Sequence, residues 1–182
     1  MHFSLFALVA LAVSAVATPA KLLPRADSTI IMQDIQVITQ KSSALNDMVE
    51  NLSIVNVFIQ GPQVAPGLQD IVETGGMAVN DVTSPPQQPF ANADAVEIIN
   101  VLKEFVVVHQ MLLNTLIGKH GLLTLVPFVG PAVAAALRSI EEVVDTFAFA
   151  LLDLIPTQAG PAVMQMNLLD ESLNGTIAVY TS

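Results

Sequence analysis

The chain contains no cysteine and no tryptophan, a single tyrosine, and only 6 lysines and arginines against 16 aspartates and glutamates. Each shortage removes a class of function. Without cysteine there is no disulfide scaffold, thiol nucleophile, iron–sulfur centre or cysteine zinc site. A formal charge of -10 at pH 7 repels the phosphate backbone, so no nucleic-acid partner is expected. Only 12% of residues are charged and 53% are hydrophobic, whereas an ordinary soluble chain is about 25% charged. A chain this apolar does not stay disordered in water. At 182 residues it fits one domain, large enough to be held by packing alone.

Residues 1–17, MHFSLFALVALAVSAVA, place an apolar run from Phe3 to Val13 before small residues ending Ala15-Val16-Ala17. That order is the pattern of a secretory signal peptide cleaved after Ala17. The run is short for a membrane span. Residues 18–26 then form a short N-terminal tail, in which Lys21 to Arg25 reads as the end of a propeptide. A single domain occupies 27–182. The C-terminal stretch from Asn174, NGTIAVYTS, is too short and polar for a lipid-anchor signal. No transmembrane segment remains in the mature chain, and the expected product is secreted and extracellular.

Helical periodicity dominates the rest. From Asp27 to Phe58, residues Ile31, Ile35, Ile38, Ser42, Leu45, Val49 and Leu52 recur at steps of three and four, one face of a helix. Asp27 or Ser28 can cap its start. Leu68 to Val82 is ambiguous, with Gly75-Gly76 as a break, and Thr83 to Pro89 reads as a surface connection. A second long helix is expected from Asn92 or Asp94 to Lys119, with an Asp94–Glu97 capping box and an exit at Gly118 and Gly121. Leu122 to Pro131 is almost wholly apolar, either a buried connection or the entrance to a cavity. Pro131 then opens a helix over Ala132 to Leu154, and a last helix runs from Pro161 to Leu173 or Ile177. The fold class is all-α: a compact antiparallel bundle of about four to five helices.

Chemistry is sparse. No nucleophile elbow, phosphate loop or zincin motif occurs, so no enzyme, metal site or cofactor is expected. His120 follows Lys119 at a helix end, where the dipole explains it. Glu141, Glu142 and Asp145 share a helix with Arg138 and read as a solvated face. Asn51-Leu52-Ser53 and Asn174-Gly175-Thr176 are glycosylation sequons. The informative signal is apolar excess. Asn92 to Ile117 and Ala132 to Ile155 carry more apolar surface than one packing stripe needs. The surplus either packs as solid core or lines a cavity or an apolar face. Phe105, Met111, Leu112, Leu116, Phe128, Phe147 and Leu151 are the candidate lining of such a cavity. His109, Gln110 and Asn114 interrupt an otherwise apolar helix and are candidates to hold a polar head group. Burying a sixteen-carbon chain is worth on the order of 10 kcal/mol before entropy costs, at about 0.8 kcal/mol per CH₂.

Three stretches carry a family resemblance: DSTIIMQDIQVITQKSSALNDMV, LLNTLIGKHGLL, and RSIEEVVDTFAFALLDLIPTQAGPAV with Pro156 after the long helix. Over Asp27 to Tyr180 the chain resembles the fungal hydrophobic surface-binding protein family, which shares its domain with cell-wall galactomannoprotein antigens. The resemblance implies a secreted, all-helical, cysteine-free domain that adsorbs to hydrophobic solids, in some members helping to recruit a secreted esterase. In others it implies fatty acid held in an apolar tunnel, and association with the cell wall. It transfers no catalytic or lipid-contact residue. The chain lacks the Ser/Thr-rich stalk and anchor signal of galactomannoproteins, which favours a diffusible form. Two functions follow: a binding protein for lipids or hydrophobic surfaces, or a structural, antigenic wall mannoprotein without a dedicated ligand.

Overall fold

A computed structural model describes residues 27–84 and 88–182. The expected signal peptide 1–17 and tail 18–26, and residues 85–87 of the surface connection, lie outside the described residues. Five long helices and one short one, joined by 3-10 turns and short connections, form the described fold: α1 (Ser28–Glu50), the single turn α2 (Val57–Gln60), α3 (Val64–Thr83), α4 (Asn92–Leu123), α5 (Val129–Leu154) and α6 (Ala159–Thr181). The all-α bundle read from the sequence is therefore the observed fold. Among the described residues there is no strand.

The helix ends differ from expectation for local reasons. Asp27 caps α1, its carboxylate accepting from the Thr29 N–H at 2.9 Å. The helix stops at Glu50 rather than Phe58 because asparagine side chains capture the backbone there. The Asn51 side-chain amide donates to the Asp47 carbonyl, the Ser53 N–H donates to Asn56 Oδ1, and the Asn56 amide donates to the Asn51 carbonyl. Helix α3 runs unbroken through Gly75-Gly76. A Cβ on Gly75 would meet Val143 Cγ1 of α5 at 2.6 Å, and one on Gly67 would meet Leu45 Cδ1 of α1 at 2.6 Å. These two glycines let α3 lie close against both neighbours, which offsets their cost of about 1 kcal/mol each in a helix. The capping box does not form: Ala91 is the N-cap of α4 and makes no side-chain cap bond. Gly118 and Gly121 do not end α4, since among the described residues no glycine has positive φ, and the buried Leu123 anchors one more turn. Helix α5 starts at Val129, with Pro131 inside its first turn, where a missing N–H costs nothing.

The helices close into a ring. Helix α4 packs against α1 and α6, α6 against α5, α5 against α3, and α3 against α1. Cross-links show the directions. Ser42, Asn46 and Leu52 are bonded to His109, Thr115 and Lys119, so α1 and α4 run parallel. Asn92, Gln110 and Leu116 are bonded to Gln158, Ser172 and Tyr180, so α4 and α6 also run parallel. Lys41–Asp70 pairs α1 with α3 in the antiparallel sense, as does the Leu45–Gly67 contact. Consecutive helices alternate in direction, but the ring does not follow chain order. Helix α5 turns through 109° into the Pro156–Thr181 segment. Among the described residues no single helix is long and apolar enough to cross a membrane.

A ring of five helices leaves a hole. Axes about 9–10 Å apart lie about 8 Å from the ring centre, and side chains reach about 5–6 Å from each axis. The lumen left over has a radius of about 2–3 Å, against a carbon radius of about 1.8–2.0 Å, half the spacing of packed carbon centres.

Candidate functional site: an apolar lumen with one histidine

All five long helices contribute to the cavity inside the ring. Helix α1 supplies Ile35 and Ile38, and α3 supplies Ile71, Val72 and Gly75. Helix α4 supplies Leu102, Phe105, Val106 and His109. Val144, Phe147 and Ala148 come from α5 together with Ile140 and Val143, and Met166 and Leu169 from α6. The cavity has a volume of about 50 Å³. One water needs about 10–15 Å³, so the lumen is a narrow slot. Its cover on α5 is light, for no residue from Glu141 to Ala150 is fully buried. Segments with few buried contacts open most readily.

Among the lining residues His109 is the polar one. It is 0% exposed. Its Nδ1 lies 2.9 Å from Ser42 Oγ, across the α1–α4 contact. Its ring packs against Phe105 at 5.3 Å between centroids. Its Nε2 is buried with no partner. An orphaned polar atom costs roughly 1–3 kcal/mol, and one buried in this way calls for an explanation. Burial holds the imidazole neutral, lowering its pKa to about 4. A second perturbed group stands outside the lining. Asp34 on α1 is raised to about 6, first by burial and then by the neighbouring Asp81 carboxylate, to which it is hydrogen-bonded. Among the described residues there is no cluster of three or more His, Cys, Asp or Glu able to hold a metal ion.

The expected site residues separate into groups. Phe105, Phe147 and His109 line the lumen. Leu112, Leu116 and Leu151 are fully buried in the core and are not part of the lining. Met111 and Phe128 are more than half exposed, and Asn114 is exposed. Gln110 is turned to α6, donating to the Leu168 carbonyl and to Ser172 Oγ. The lining from α1, α3 and α6 was not anticipated as a site; its only signal was membership of apolar stripes. Asn51 is exposed at the end of α1. Asn174 is exposed on α6, with Thr176 of its sequon buried and bonded to the Ser172 carbonyl.

One end of the ring carries exposed apolar residues. Ile54, Val55, Phe58 and Ile59 precede α3, and Leu125 and Phe128 join α4 to α5. The two segments touch, since Gly61 packs among Val57, Leu123 and Val126. Phe128 is 86% exposed and left-handed, at φ 68°. No charged residue lies between Glu50 and Asp70, and no acidic one between Lys119 and Arg138.

No protein-family model and no curated protein matches the chain. Solved structures share its fold at low identity. AFMP4P in complex with palmitic acid superposes with a TM-score of 0.77 at 18% identity, over 85% of this chain and 99% of that one. Ligand binding domain 1 of the Penicillium marneffei MP1 protein, complexed with arachidonic acids, gives 0.76 at 14%, over 85% and 99%. Domain 2 of the same protein, complexed with multiple arachidonic acids, gives 0.71 at 14%, over 89% and 99%.

Proposed function

We propose that this chain is a secreted, non-catalytic binding protein for single-chain lipids such as fatty acids. The ligand chain occupies the lumen, and its head meets His109. The observation that carries this reading is an apolar slot whose one polar wall residue among the described residues, His109, has an unpartnered, buried Nε2. Burial of apolar carbon supplies affinity at about 0.8 kcal/mol per CH₂, and the histidine supplies orientation. Structural neighbours solved with palmitic and arachidonic acids support the choice of ligand. A catalytic role fits poorly, because a base titrating at about 4 is mismatched to neutral conditions. Export is supported by the apolar leader over residues 1–17. The proposed kinship with hydrophobic surface-binding proteins and wall galactomannoproteins rests on the sequence resemblance, and Asn51 is the better placed glycan acceptor.

Titration of the full secreted chain with palmitic acid, followed by methyl NMR, tests this. Saturable shifts confined to Ile35, Ile38, Ile71, Val106 and Ile140 are expected. Shifts spread over exposed methyls alone would overturn the lumen as the site.

A second reading is favoured by the exposed end of the ring: adsorption to a hydrophobic surface. Ile54, Val55, Phe58, Ile59, Leu125 and Phe128 form an uncharged apolar tip on an otherwise acidic molecule. It requires no ligand in the lumen, and loss of adsorption on changing Phe128 is its test.

A further inference from the structure

Among the described residues the lumen wall carries no cation. His109 is its polar side chain, with Nδ1 committed to Ser42 and Nε2 unpartnered. The titratable residues of the five helices around it line none of it: Asp34, Lys41, Asp47 and Glu50 on α1, Asp70, Glu73 and Asp81 on α3, Asp94, Glu97, Lys103, Glu104, Lys119 and His120 on α4, Arg138, Glu141, Glu142, Asp145 and Asp153 on α5, and Asp170, Glu171 and Tyr180 on α6. An ionised carboxylate set against Nε2 would lose its hydration and gain no opposite charge, which a buried charge does not tolerate.

We propose that the lumen admits lipids whose head is electrically neutral and hydrogen-bonding: a primary alcohol directly, and a fatty acid only together with one proton taken from water. This rests on the lumen being the lipid site and adds the class of head group and a proton stoichiometry. The Ser42–His109 pair suits either polarity. When Nδ1–H donates to Ser42 Oγ, Nε2 accepts from the ligand O–H. When the Ser42 hydroxyl donates to Nδ1, Nε2–H donates to a ligand oxygen. With a fatty acid the bound pair holds one proton more than free carboxylate plus neutral imidazole, and the carboxyl carries it. Burial that keeps the imidazole neutral acts in the same direction on a carboxyl beside it.

The consequence is a slope. A free carboxyl ionises near the Glu side-chain value of about 4.3. Above that, each pH unit costs the acid a factor of ten in affinity and costs the alcohol nothing. Titrations whose effects are shared by both ligands, such as that of Asp34, cancel in the ratio.

The experiment is calorimetric titration of the full chain with decanoic acid and with decan-1-ol, from about pH 5.5 to about pH 8.5, with folding checked by circular dichroism at each pH. The acid-to-alcohol affinity ratio should fall about 1,000-fold across that range, with one proton taken up per acid bound at the upper end. In His109→Leu both ligands should weaken by about tenfold, the worth of one net hydrogen bond, with the acid slope retained. Equal, pH-independent binding of acid and alcohol would overturn the inference, because the carboxylate would then be sitting in water at the mouth. Failure of both ligands to bind at every pH would overturn the lumen as a lipid site altogether.

Discussion

Burial of His109 makes the fold sensitive to acid by an amount that can be worked out. In the folded chain the imidazole titrates at about 4, against 6.5 when exposed. Between those values the unfolded chain binds a proton that the folded chain refuses. The stability contributed here is therefore complete above pH 6.5, shrinks as pH falls, and is fully lost below about 4. At about 1.36 kcal/mol per unit, the loss across the window is roughly 3 kcal/mol, a large part of an ordinary domain's 5–15 kcal/mol. His109→Leu keeps the volume and removes both the titration and the orphaned Nε2. Ser42 then has a fallback, bonding the carbonyl one turn back as Thr39, Thr74 and Thr176 do. At pH 7 the variant should lie within about 1.5 kcal/mol of the parent. At about pH 4.5 it should have gained roughly 2–3 kcal/mol relative to it. Asp34 acts with the opposite sign. Its pKa is raised to about 6, so its contribution is present below the unfolded value of 3.8 and lost as pH rises through 6. Being common to both proteins, it cancels in the difference. Urea denaturation of both proteins across that pH range is the assay. Parallel stability curves would refute the reasoning.

Gly75→Ala should destabilise by about 1–3 kcal/mol, because its Cβ would stand 2.6 Å from Val143. Adding Val143→Ala should restore most of the loss. Gly76→Ala, with nothing within 4 Å, should instead stabilise by about 0.5–1 kcal/mol; thermal melts of the three variants separate contact from propensity. Phe128→Gly should raise stability by about 1–2 kcal/mol by relieving a left-handed residue, while lowering retention on an octyl surface if the apolar tip is the adsorbing face. Val106→Phe places a ring from a buried position into the lumen; palmitic acid affinity should drop at least tenfold, and an unchanged affinity would argue that the chain lies elsewhere.

The helices were legible where the stripe was long. Ile31, Ile35, Ile38, Leu45 and Val49, read as one face of α1, are all buried. Even the polar break at Ser42 was informative, since it is the partner of His109. Helix ends were less legible because distant or side-chain partners set them. Gly75 looks like a breaker until Val143, far along the chain, is seen packed on it. The end of α1 depends on Asn51 and Asn56 competing for backbone groups. The lumen was legible as a surplus of apolar residues but not as an address. Met111 lies two residues past His109, about 200° around the helix, and only the positions of α1 and α6 decide which of them faces inward. The largest gap is α3, whose Ile71, Val72 and Gly75 wall the lumen from a segment that reads ambiguously in isolation.

The most direct test of the account is native mass spectrometry of the purified full chain mixed with palmitic acid, compared with Val106→Phe under the same conditions. The account predicts a one-to-one adduct of palmitic acid on the parent chain and its loss in the variant. An adduct of equal strength on both proteins, or none on either, would contradict it.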